Sequence, residues 1–307
     1  MLNSINSENR IDFYKKIWQV ASTYHHPLTL KALKRRASFL YTANKHRHQV
    51  DSFIRRVSAQ GVPVTTEMLG MLEWPYLHNH WNISTKFEKV ATHYEQIAKP
   101  FPALTRMHLA EPFEVISFEH ISKGVKVAVD YTEWFVREGE VVLNIFRDDL
   151  RVASMAFILG VRDGVKVAYI GAVQGIHGGV SAEESLDIYK QLTKDFQGLR
   201  PRSLLLEVLK VVLSELGMEK LFGVSEQHRH HRHKYFHHDE HTVFKNDYNA
   251  FWEEHEGVLD QVSGFYEIPM TLSIKDMAEI PSKKRSMYKR RYEIIHSIKN
   301  NIRLKAA

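Results

Sequence analysis

Cysteine is absent from all 307 positions. That excludes disulfide frameworks, thiolate zinc sites and a cysteine nucleophile. The chain also lacks any apolar run approaching the roughly 18 residues that a membrane-crossing helix needs. Where a signal peptide would hold its apolar stretch, it carries Glu8, Arg10, Asp12, Lys15 and Lys16, so no secretory leader is expected. No internal repeat and no low-complexity linker interrupts it. Acidic residues are scarce in two places. Residues 283–305 hold nine Lys/Arg against one Glu, and residues 31–56 hold eight against one Asp. The intervening 57–282 carry about −10, so a neutral-to-acidic body has two basic flanks. Such flanks are either solvated helix faces or attractors of phosphate-bearing partners. The expected location is cytoplasmic.

With 44% apolar and 25% charged residues, the chain has ample material for a large core. Residues 1–110 read as helical. Ile11, Tyr14, Ile17, Trp18 and Ala21 recur at helical spacing, as do Leu33, Ala37, Leu40 and Tyr41. Ser84 to Ile97 is a further helix, with Phe87, Val90, Ala91 and Tyr94 on its apolar stripe. Pro100 and Pro102 end this region, and a boundary is expected near 110. From 111 to 307 the pattern changes. Segments 113–118, 125–129, 141–146, 154–159 and 165–170 are short and rich in β-branched residues, which predicts consecutive antiparallel strands. Asp163-Gly164 marks a tight hairpin. Ser181 and Glu184 form a capping box that opens a helix to about Phe196. Pro201 opens a second helix whose wide stripe of Leu204, Leu205, Val208, Leu209, Val212 and Leu213 predicts deep burial. Lys220 to Val224 is then a strand reached by a right-handed crossover, parallel to the strand ending near Gln174. Phe265 to Met270 reads as a strand and 283–302 as a basic helix. The fold class is therefore α+β: a helical N-terminal region plus a mixed, mostly antiparallel sheet flanked by helices.

Several motifs in order resemble the VirK/YbjX family of bacterial proteins. They are Trp74-Pro75-Tyr76-Leu77 with Trp81, His93-Tyr94, Ile170-Gly171-Ala172-Val173-Gln174-Gly175, Gly198-Leu199-Arg200-Pro201, Gly223-Val224-Ser225, Asp247-Tyr248 with Phe251-Trp252, and Ile280-Pro281-Ser282-Lys283-Lys284-Arg285. The resemblance covers nearly the whole chain. It implies a role in envelope maintenance, virulence, display of a surface protein or resistance to cationic antimicrobial peptides, without naming a reaction.

Residues 113–236 also resemble, in element order, the GNAT acetyltransferases. That likeness implies an acyl- or aminoacyl-transferase with coenzyme A or acyl-CoA as donor and an envelope precursor or surface protein as acceptor. The donor's phosphates would lie on the turn Gln174-Gly175-Ile176-His177-Gly178-Gly179, whose glycines let backbone amides approach an anion. The turn departs from the GNAT spacing at His177 and Gly179, and one additional helix precedes the long apolar one. The alternative is a glycine-rich turn with no ligand. Arg200 would either clamp a phosphate with its fork or pair with a carboxylate. Position after the parting strand makes Glu226 and His228 candidate bases and Tyr235 a candidate acid toward a leaving thiolate.

Residues 228–241 hold seven histidines in fourteen positions. His233, His237 and His241 recur at four-residue steps, the spacing of one helix face. They would bind zinc or nickel, or form a pH-responsive surface. Trp74, Tyr76, Trp81, Tyr248, Phe251 and Trp252 read as packing. Lys283, Lys284, Arg285, Lys289, Arg290 and Arg291 would meet an anionic membrane surface peripherally, at the inner membrane. Nucleic acid is not expected, because no nucleic-acid module accompanies the charge. A cleft where the parallel strands part, long enough for a pantetheine arm, would mark an enzyme. A gap filled by side chains would mark a binding protein.

Overall fold

The computed structural model describes residues 7–25, 29–105, 112–130, 133–176, 178–236 and 247–304. The N-terminal helices are α1 (Ser7–Tyr24), α2 (Leu30–Lys45), α3 (Arg47–Ser58), α4 (Thr66–Gly70), α5 (Ile83–Ile97) and the single turn α6 (Pro102–Thr105). Side-chain oxygens cap three of them, with Thr65 accepting the Met68 amide of α4 at 3.3 Å. Thr29 accepts the Ala32 amide at 3.1 Å and Asn82 accepts that of Thr85 at 2.9 Å, which satisfies amides the first turn leaves unpaired.

Strands β1 (Phe113–Ser117), β2 (Val125–Asp130), β3 (Val141–Arg147), β4 (Leu150–Arg162) and β5 (Val165–Gln174) form an antiparallel meander. Asp163 and Gly164 join β4 to β5 with φ of 53° and 80°. Both angles are positive, the geometry that keeps a two-residue hairpin in step with strand twist. Ser181 then caps α7 (Ala182–Asp195) by accepting the Glu184 amide at 3.1 Å. The buried helix α8 (Pro201–Glu215) returns the chain to β6 (Lys220–Val224), which pairs parallel to β5. After α9 (Tyr248–Glu254), β7 (Val258–Asp260) and β8 (Phe265–Ile268) complete the sheet in the order β1-β2-β3-β4-β5-β6-β8-β7. The basic helix α10 (Ser282–Asn301) closes the described chain.

Both faces of the central strands are buried, and one apolar core runs from Phe13 to Leu304. Two buried polar ties hold elements onto that core. His93 on α5 accepts the Leu159 amide of β4 through Nδ1 at 3.0 Å. Glu207 and Lys210, neighbours on α8, pair at 3.2 Å while Lys210 donates to the Thr271 carbonyl at 3.0 Å and Glu207 accepts the Ser273 amide at 3.1 Å. Burial of that pair is tolerable because nearly every charge-bearing atom has a partner. The α+β class, the meander, the hairpin and the parallel crossover all follow the sequence pattern. Strand β7 was not foreseen.

Candidate functional site

Strand β5 pairs with β6 only from Val167–Lys220 to Ile170–Gly223. Beyond that, β5 runs on to Gln174 while β6 stops at Val224. The departure coincides with a bulge. Across the β4 partner, register passes from Phe157–Ile170 to Ala156–Ala172, which leaves Gly171 as the extra residue. A Cβ on Gly171 would stand 2.0 Å from the Glu138 carbonyl oxygen, so glycine is required there. Helix α9 fills the gap. The Val173 amide donates to the Tyr248 hydroxyl at 2.8 Å, and the Trp252 indole N–H donates to the Val224 carbonyl at 2.9 Å. Trp252 lies flat on Gly223, where a Cβ would come within 2.5 Å of the ring.

A cavity of about 850 Å³ opens beside the gap, between α7, α8 and α10. Tyr189, Phe251 and Met287 give it apolar walls, and Lys190, Lys194, Arg200, Arg202 and Arg290 bring five cationic side chains to it. None of the described residues lining it is acidic. The glycine turn forms part of the same neighbourhood. Tyr189 accepts the Ile176 amide at 2.8 Å and donates to the Val152 carbonyl at 3.0 Å. A Cβ on Gly175 would meet the Tyr189 hydroxyl at 2.2 Å and an Arg202 nitrogen at 3.0 Å. Pro201 sits in the first turn of α8, and the preceding Arg200 makes no side-chain cap bond. The positive end of the α8 dipole thus adds to the field of the arginines. Arg200 is ion-paired to Glu254, and Arg290 donates to the Gln197 side chain at 2.9 Å. The arrangement suits a ligand with a phosphate end and an apolar body.

Behind the gap lies a charge cluster. Glu226 accepts from Arg229 at 3.1 Å and from Arg232 at 3.0 Å. Burial alone would raise its pKa, but bonds from His231, Arg229 and Arg232 outweigh that and hold the carboxyl low. Glu226 is thereby a counter-ion rather than a base poised near neutrality. His228 is 2.7 Å from Ser225 through Nδ1 and its ring stacks on His78 at 4.9 Å. Burial, then nearby His80, depresses its pKa. Tyr235 is pushed up by burial and faces the Arg137 guanidinium at 5.7 Å. The three sequence candidates therefore engage separate partners. His233 Nδ1 accepts the Tyr235 amide at 3.0 Å. His177, His237 and His241 lie outside the described residues. Among the described residues, no group of three His, Asp or Glu is arranged to hold a metal ion.

Glu138 was not anticipated. Burial raises its carboxyl to about 7, against the opposing pull of Arg229. It accepts from Gln174 Nε2 at 3.2 Å, and Arg229 stands 3.7 Å away. Arg229 in turn covers the Tyr248 ring at 3.8 Å. The segment around Trp74 closes this cluster from outside. Leu77 is fully buried with φ of +54°, and its carbonyl accepts the His230 amide at 3.1 Å. A left-handed leucine costs of order 1 kcal/mol and persists where tertiary contacts fix it.

Residues 29–304 match the family described as "Protein of unknown function (DUF535)". The chain belongs to the DUF535 family. It is 33% identical to "Uncharacterized protein YbjX" of Escherichia coli K12 over 165 residues, 53% of this chain and 48% of that protein. It is 27% identical to an "Uncharacterized protein" of Haemophilus influenzae over 223 residues, 73% of this chain and 70% of that one. The alignment thus spans about half the length of YbjX. No solved structure matches. The VirK/YbjX resemblance read from the motifs is borne out at the level of the family.

In this DUF535 protein, Gly175 and Arg200 lie at or beside the cationic cavity, whereas the Gln174 side chain donates to Glu138. Gly178 and Gly179 take positive φ of 72° and 80°, with open space where a Cβ would stand. Lys190, Lys194, Arg202 and Arg290 had no motif to announce them as one site. Of the basic residues proposed for a membrane, Arg285, Arg290 and Arg291 are engaged within the protein, to Ile280, Gln197 and Gln197 respectively. Among the described residues no helix is long and apolar enough to cross a membrane.

Proposed function

We propose that this DUF535 protein is a binding protein for a phosphate-bearing ligand with an apolar body, held in the groove between α7, α8 and α10. The observation that carries the reading is the convergence of Lys190, Lys194, Arg200, Arg202 and Arg290 on one apolar-walled cavity beside Gly175. Acyl-CoA and anionic lipid share that chemistry. The gap filled by Tyr248 and Trp252 favours binding over transfer. In a bacterial cell such a protein would serve envelope maintenance, virulence or antimicrobial-peptide resistance from the cytoplasmic face of the inner membrane. The α10 lysines Lys283, Lys284 and Lys289 would draw in anionic partners.

A second reading keeps acyl or aminoacyl transfer to an envelope precursor. It is favoured by Glu138, whose carboxyl burial pushes up to about 7 beside Gln174 at the parted end of β5. There it would take the proton of an attacking amine or hydroxyl while the thiolate of the donor leaves.

Native mass spectrometry of the freshly purified chain tests the main reading. The expected spectrum shows a retained ligand that carries both phosphorus and a hydrocarbon chain, lost in an Arg200→Ala/Arg202→Ala double variant. A bare polypeptide mass that also stays bare after addition of lauroyl-CoA or a short-chain phosphatidylglycerol would contradict it.

A further inference from the structure

Between Phe13 and Val50 the chain carries eight Lys/Arg and no Asp or Glu. This stretch spans most of α1 and all of α2. The buried side of α2 is Ala32, Arg36, Phe39 and Ala43. Arg36 fixes that side to α1 by donating to the His25 carbonyl at 2.8 and 3.2 Å. The opposite side is unusual. Leu30 is 81% exposed, Leu33 42% and Tyr41 70%. Positions 30, 33 and 41 share one helical stripe, with Ala37 between them. Lys31, Lys34 and Arg35, all exposed, flank it.

We propose that this α2 face docks on an anionic bilayer. Leu30, Leu33 and Tyr41 would enter the headgroup boundary while Lys31, Lys34 and Arg35 meet lipid phosphates. Interfacial helices show this combination: an apolar stripe with an aromatic ring, cations beside it, and acids absent. Charge alone would suit any polyanion. The exposed leucines separate the cases, because a nucleic-acid backbone offers nothing to an apolar tip whereas acyl chains do. Each cation near an anionic leaflet adds attraction that fades within a Debye length. The face is distinct from the groove and from α10, so it stands or falls independently of the ligand.

The test is co-sedimentation of the full chain with vesicles of phosphatidylcholine alone or mixed with phosphatidylglycerol, at low and high salt. Binding is expected to the mixed vesicles at low salt and to be lost at high salt. Leu30→Glu/Leu33→Glu should lower partitioning about tenfold or more with an unchanged melting temperature, since both positions are exposed. Lys283→Gln/Lys284→Gln/Lys289→Gln should leave most binding in place. Failure of the native chain to bind mixed vesicles, or undiminished binding by the leucine variant, would overturn the proposal.

Discussion

Trp252→Ala is expected to lower the unfolding free energy by about 3–5 kcal/mol, the usual cost of emptying a large buried aromatic site. Trp252 is fully buried, covers Gly223 of β6, and anchors to the Val224 carbonyl. Its loss opens a cavity at the one place where two parallel strands diverge, and neither strand can close over it without breaking its pairing on the far side. Tyr248→Phe should cost less, about 1–3 kcal/mol, because it strands only the Val173 amide. Urea denaturation at neutral pH reads both. Near-native stability for Trp252→Ala would mean that the gap collapses freely, and the account of a rigidly filled parting would be wrong.

Stability should also fall as the pH drops from about 6.5 toward 4.5, the interval set by free histidine and glutamate. His93 and His78 are both pushed down to about 3, chiefly by burial, and His230 is held well below its ordinary value for the same first reason. His93 Nε2 finds no hydrogen-bond partner among the described residues, so a charge there has nothing to receive it. A histidine depressed in the folded state contributes stability that is complete above its unfolded pKa and is lost as pH falls below it. Glu138 and Glu140 act in the opposite sense. Burial raises both, so their contribution is complete in acid and lost as pH rises. His228, His231, His233 and His255 are depressed as well and Asp130 is raised, so seven histidines against three carboxylates leave a net acid loss. Each group changes the slope by about 1.4 kcal/mol per pH unit. His93→Gln, which keeps an acceptor for the Leu159 amide, should therefore flatten the profile. Glu138→Gln should steepen it and raise stability above neutrality. Denaturation midpoints across the range check the signs, and a steeper profile for His93→Gln would contradict them.

Local chemistry was legible in the sequence. The Asp163-Gly164 turn, the Ser181 cap and the apolar stripe of α8 depend on neighbours a few residues away, and each appears as read. Strand β7 was missed because Val258–Asp260 is three residues long, one exposed and two half-buried, too short to show alternation. Trp252 and Tyr248 were read as packing residues, and both are buried. What they fill could not be read, since the gap is made by β5 and β6 some seventy and thirty positions away. The groove was half legible. Gly175 and Arg200 announce themselves by backbone freedom and by position before Pro201. Lys190, Lys194 and Arg290 look like solvated helix charges until α7 and α10 are brought to one cavity. Glu138 had no pattern at all, because its burial comes from Arg229 and Gln174 and not from its own segment.

Isothermal titration of the full chain with lauroyl-CoA, coenzyme A and laurate tests the groove most directly. The account predicts that lauroyl-CoA binds most tightly, that each half alone binds more weakly, and that Arg200→Ala/Arg202→Ala loses about tenfold or more of the affinity. Equal affinity of the variant and the native chain, or no heat from any of the three, would contradict it.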